Sequence, residues 1–214
     1  MNLAAYIDHT LLKPDCSEAD IAQLCREAIT HGFAAVCVPP NFVAQAAEQV
    51  KCSGVKVATV IGFPLGYNLS TAKMVEAFSA IEDGAHEMDM VMNISAFKSG
   101  AIDVVRNDIQ AIFAICKAED VVLKVIIETA LLNQNEIKSI CELCAEIEVD
   151  FVKTSTGFSH SGAVLEDVQL MRQVLPEHIQ IKASGGIKTK AQAEAFIEAG
   201  ASRLGCSSSL QLIR

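Results

Sequence analysis

Short apolar, β-rich runs alternate with longer amphipathic stretches along this 214-residue chain, and that alternation leaves few folds open to it. The strand-like runs are Tyr6–His9, Ala34–Pro39, Lys56–Phe63, Glu87–Asn93, Val121–Glu128, Asp150–Thr156, Ile179–Ser184 and Arg203–Cys206. Between them, apolar residues recur at helical spacing over Glu18–His31, Thr71–Asp83, Val104–Ala118, Asn135–Glu148 and Lys190–Ala199. Ser17 and Ser70 stand where helix N-caps are needed, and Asn133 precedes Glu136 at capping-box spacing. Gly32, Gly84 and Gly200 follow helical stretches where a left-handed cap closes the last turn. Strands alternating with helices imply parallel pairing through right-handed crossovers.

Eight such strands fit a closed (β/α)₈ TIM barrel, a single α/β domain over residues 1–214. A doubly wound dinucleotide-binding sheet fits less well, because no G-x-G-x-x-G turn follows the first strand. The connections must be brief. The segment Ile94–Gly100 reads as one longer loop, and Ser207–Arg214 leaves room only for a short final helix.

Composition narrows the function. Apolar residues make up 51% and charged residues 20%, the balance of a chain with much of its length buried. A formal net charge of −9 argues against nucleic acid or an anionic membrane as partner, since both require a basic surface. Charges at Asp8, Lys13, Asp15, Glu18 and Asp20 interrupt the N-terminal region, so it has no signal-peptide pattern and the protein is expected in the cytoplasm. The eight cysteines read as buried thiols. Cys141 and Cys144 form a C-x-x-C inside a helical stretch, not at the helix N-terminus a redox pair uses, and no ligand spacing suggests a metal.

Lysines within the strands carry the chemical signal. Lys124 lies in V-V-L-K-V-I-I-E, Lys153 in D-F-V-K-T-S-T-G and Lys182 in I-Q-I-K-A-S-G-G, on consecutive strands, while the preceding strand adds Asp89. Each could snorkel to a strand end or form a structural ion pair with Asp89, Glu87 or Glu128, and Lys124, early in its run, fits that reading as readily as a catalytic one. For the cluster, imine chemistry is the stronger explanation. A nucleophilic lysine must be neutral, and its reference pKa of about 10.4 forbids that at neutral pH. A second ammonium about 5 Å away removes roughly two units of that pKa, and desolvation removes more. Asp89 would relay protons. Phosphate would sit against Ser184-Gly185-Gly186 and Gly205-Cys206-Ser207-Ser208, at the ends of strands seven and eight, where barrels commonly hold that group.

The strings F-V-K-T-S-T-G-F (Phe151–Phe158), L-K-V-I-I-E-T (Leu123–Thr129), E-M-D-M-V-M-N (Glu87–Asn93), V-I-G-F-P-L-G (Val60–Gly66), I-K-A-S-G-G-I (Ile181–Ile187) and Y-I-D-H-T-L-L-K-P (Tyr6–Pro14) resemble the deoxyribose-phosphate aldolase family over essentially the whole chain. The resemblance implies a class I aldolase without cofactor or metal, acting on a small phosphosugar and an aldehyde. It implies Lys153 as the Schiff-base lysine, Lys182 as the lysine that perturbs it and Asp89 as the proton relay. Gly157, Gly185, Gly186, Ser207 and Ser208 match the phosphate positions. Lys124 is implied to be supportive, and Asp8 and Thr10 to line the pocket. Some longer members carry a basic residue where Phe158 stands and a Tyr-bearing C-terminal tail, whereas this chain stops at Arg214. Two other readings remain open at this point: a phosphosugar isomerase, which needs no paired lysines, and a non-catalytic barrel that grips an anion. Homo-oligomerisation is also open.

Overall fold

A computed structural model describes residues 2–213. The strands are β1 (Ile7–Thr10), β2 (Ala35–Cys37), β3 (Lys56–Ile61), β4 (Glu87–Val91), β5 (Val122–Ile126), β6 (Phe151–Lys153), β7 (Gln180–Ser184) and β8 (Arg203–Cys206). All pair in parallel with their sequence neighbours, and β1 closes onto β8, giving the barrel. The helices α1 (Glu18–His31), α2 (Val43–Val50), α3 (Ser70–Glu82), α4 (Ile94–Lys98), α5 (Ile102–Ala118), α6 (Gln134–Ile147), α7 (Leu165–Val174), α8 (Lys190–Glu198) and α9 (Ser209–Leu212) connect them.

The local signals mostly act as expected. Ser17 and Asn133 each cap their helix through a reciprocal capping box, with Asp20 and Glu136. Gly32 ends α1 in the left-handed conformation at φ 66°. Two expectations need correction. Ser70 is already the first residue of α3, behind Leu69 in the cap position, and caps nothing with its side chain. The segment after β4 is not a loop, since Ile94–Lys98 is helical and Asn93 accepts from the Ala96 N–H to start it. Its apolar Ile94 and Phe97 are buried, which drives the coil into one turn of helix against its neighbours.

Two kinds of interior follow from strand alternation. The outward strand positions, such as Val36, Val57, Met88, Val125, Val152 and Ile181, join the helices in one continuous apolar layer. Inside the barrel, Ala35, Cys37, Ala58 and Val60 of β2 and β3 form a small apolar wall. The rest of the interior is charged: Asp8, Glu87, Asp89, Lys124, Lys153 and Lys182 are all buried.

Candidate active site

Register brings the charged residues together. Asp89 is the Cα partner of Lys124, Lys153 of Lys182, and Lys182 of Arg203. Neighbouring partners in a parallel sheet point to the same side, so these side chains share the barrel axis. Asp89 is the hub. Its Oδ2 accepts from Lys153 Nζ at 2.6 Å and from Lys182 Nζ at 2.6 Å, and its Oδ1 accepts from Lys124 Nζ at 2.9 Å. Lys124 also pairs with Glu87 at 2.6 Å. Lys182 donates to Asp8 as well. Arg203 bridges Asp8 at 2.7 Å and Glu87 at 3.0 Å.

Three carboxylates thus meet four cations in this network, so one positive charge is surplus. Lys153 is the cation that most readily loses its proton. Burial lowers its pKa first; Asp89 opposes that shift, and Lys182 adds to it by repulsion, leaving the amine below the ordinary lysine range. Lys182 and Lys124 go the other way. Burial disfavours their charge, but Asp8 and Asp89 hold Lys182 cationic, and Asp89 and Glu87 do the same for Lys124. Burial also works against Asp89 ionising, yet Lys124, Lys153 and Lys182 together keep it well below the usual carboxylate range. Asp8 is held at about 2, its burial outweighed chiefly by Lys182 and then Arg203.

A cavity of about 260 Å³ opens over this network at the C-terminal strand ends. Lys153 lines it together with Thr10, Gly157, Gly185, Gly186 and Ser207. The amide N–H groups of Gly157, Gly186 and Ser207 donate to no backbone carbonyl among the described residues, so they are available to an anion. Glycine is required at two of these contacts. A Cβ on Gly205 would stand 2.8 Å from Ser184 Cβ and 3.2 Å from Lys182 Cε, closing the space Lys182 occupies. Gly185 has φ +86° and passes within 2.9 Å of Gly162 Cα as measured from its own would-be Cβ.

Several expected positions fall elsewhere. Ser208 faces an adjoining hollow beside His9, Asp20 and Glu27 instead of the Lys153 cavity. Asp8 and Lys124 are fully buried in the ion network and do not line the cavity, while Thr10 does. Glu128 pairs with no lysine. Its Oε2 accepts from the N–H of Thr156 at 3.2 Å and from Thr156 Oγ1 at 2.5 Å, and its backbone sits at φ 55°. It therefore shapes the K-T-S-T turn that carries Lys153. That turn is also tied to the end of β7, where Ser184 Oγ donates to the Ser155 carbonyl at 2.5 Å and Ser184 N–H to Thr154 Oγ1 at 3.1 Å. Two basic residues that the sequence does not single out also stand here, Arg203 in the ion network and Lys13 at the cavity wall. Arg203 opens an apolar strand, a position at which a charge is a readable signal, whereas nothing local distinguishes Lys13 from a surface lysine.

The matching family model, DeoC/LacD family aldolase, spans residues 2–210. The chain belongs to this aldolase family. A deoxyribose-phosphate aldolase of Caldanaerobacter subterraneus subsp. tengcongensis is 49% identical over 214 residues, covering 100% of this chain and 93% of that one. One of Thermococcus gammatolerans is 50% identical over 215 residues, covering 100% and 96%. Among solved structures, the aldolase QR15 superposes with a TM-score of 0.94 at 44% identity, covering 99% of this chain and 94% of that chain. The deoxyribose phosphate aldolase of Aeropyrum pernix, described as a unique tetramer, gives 0.92 at 33% identity, covering 99% and 89%. The family's aldolase label agrees with a barrel whose mouth presents one lysine held below the ordinary lysine range. Cys141 and Cys144 are free thiols buried in α6, and burial pushes Cys141 up to about 12.

Proposed function

We propose that this chain reversibly cleaves 2-deoxy-D-ribose 5-phosphate to D-glyceraldehyde 3-phosphate and acetaldehyde through an imine on Lys153. The observation that carries this reading is Lys153 itself, the network's most weakly held cation and the one facing the cavity. Its neutral amine adds to the C1 aldehyde, and loss of water gives the iminium. A proton then leaves the C3 hydroxyl, the C2–C3 bond breaks, and its electron pair passes to C2 as an enamine. The three-carbon aldehyde phosphate departs. Protonation at C2 and hydrolysis release acetaldehyde and restore the amine.

Once Lys153 becomes an iminium, its nitrogen keeps one N–H in place of the ammonium's three, and a water entering beside Asp89 can carry protons. Lys182 stays cationic throughout and holds Asp89 in place, a role that its two carboxylate partners support. The glycine amides and Ser207 are proposed to take the phosphate. Among the described residues no helix is long and apolar enough to cross a membrane, which suits an enzyme working on dissolved sugars. Acetaldehyde with borohydride tests the reading. An ethyl group should appear on Lys153, and peptide mapping that places it on Lys182 or Lys124 overturns the assignment.

A further inference from the structure

A phosphate dianion held only by amides would be poorly compensated, and the groups around the cavity point to where its counter-charge comes from. Of the residues lining the Lys153 cavity, Lys13 and Lys153 carry the basic side chains. Lys153 has to be neutral to react, so it cannot serve. Arg203 is committed to Asp8 and Glu87, and the residue directly after the K-T-S-T-G turn is the uncharged Phe158. Lys13 sits beyond β1 on an exposed stretch, and no carboxylate pairs with it among the described residues.

We infer that Lys13 is the phosphate's cationic ligand and sets the preference for phosphorylated over unphosphorylated substrates. The assignment rests on the aldolase reading above and adds a residue to its substrate site. Lys13 lines both the Lys153 cavity and the adjoining hollow, with Ser207 and Thr10 shared between them. The hollow also contains Asp20 and Glu27, whose charges repel a dianion. The phosphate is therefore directed to the other side of Lys13, where the amides of Gly157, Gly186 and Ser207 are free. An ammonium on a flexible stem swings in from the rim and closes over the anion. Exposure in the free protein is compatible with that role, since Lys13 needs to be ordered only when phosphate arrives.

The test compares kcat/KM for 2-deoxyribose 5-phosphate with that for unphosphorylated 2-deoxyribose, and measures inorganic phosphate as a competitive inhibitor of the latter. Lys13→Gln should lower the ratio by about 10- to 100-fold and weaken phosphate inhibition by a similar factor, the loss of one charge-assisted contact. Lys13→Arg should retain most of both. Adding Phe158→Lys to Lys13→Gln places a cation on the opposite wall and should restore part of the ratio, which a residue needed only for folding would not permit. An unaltered ratio and unaltered phosphate inhibition in Lys13→Gln overturn the assignment. Wild-type protein that cleaves neither sugar overturns the aldolase reading instead. In that event phosphate affinity measured by calorimetry, lost or kept in Lys13→Gln, decides the role of Lys13 separately.

Discussion

Lys73 and Lys153 are both buried beside a carboxylate, and only Lys153 opens onto a cavity. Lys73 of α3 is fully buried, donates to Asp108 of α5 at 2.6 Å and to the Val91 carbonyl at 2.9 Å, and lines no cavity described above. Lys153 also donates to a carboxylate at 2.6 Å, but it shares Asp89 with Lys124 and Lys182 and opens onto a cavity. Burial lowers the pKa of both. Desolvation by itself therefore does not make a nucleophile. What separates the pair is competition for the counter-ion and access to a substrate. Lys73 has a private partner and pins the end of β4 to two helices; Lys153 is the surplus cation in a crowded network.

The same substitution at the two positions should give opposite results. Lys153→Met removes the proposed nucleophile and should lower cleavage by on the order of 10⁴-fold or more. It also leaves three cations facing three carboxylates, so stability should be unchanged or higher, as read from denaturant unfolding. Residual activity within tenfold of wild type would break the contrast at once.

Lys73→Met should do the reverse. It strands Asp108 in the interior and should cost about 3–5 kcal/mol of stability, while the folded protein at low temperature still traps acetaldehyde on Lys153. Replacing both partners, Lys73→Met with Asp108→Leu, should recover most of that loss. A double variant as unstable as the single one would show that Lys73 holds β4 through Val91 more than through its ion pair.

The smallest expected effect sharpens the account of Lys153. In Lys182→Met the network loses a cation, so Lys153 becomes needed as counter-charge and its pKa should rise by about one to two units. The neutral fraction then appears only at higher pH. Activity at pH 7 should fall about 10- to 100-fold and recover as pH rises toward 9 or 10. A folded variant that stays inactive across that range would make Lys182 a proton-transfer group or substrate ligand, and burial would remain as the main cause of the lowered Lys153 pKa.

The architecture was legible because it is written locally. Short apolar β-rich runs, helical stretches and caps at Ser17 and Asn133 each depend on residues a few positions apart, and they recur often enough to demand a barrel. Lys153, Lys182 and Asp89 were legible for a related reason: a charge on an apolar strand is anomalous wherever the strand goes. Ser70 misled because a good capping residue one position inside a helix looks the same in sequence as one at its edge. The Ile94–Gly100 segment misled because burial of Ile94 and Phe97 against distant elements outweighs its short length.

The chain by itself therefore determined the barrel and named the lysines that could react. The order of their reactivity was decided only by closure of the sheet. Lys182 and Asp8 are 174 residues apart, and Arg203 and Asp8 are 195 apart, yet β1 meets β8 and puts them in contact. Those contacts keep Lys182 charged and leave Lys153 as the surplus cation. A pKa depends on the sum of charges and the solvent excluded around one atom, and neither quantity exists until the strands have closed around it.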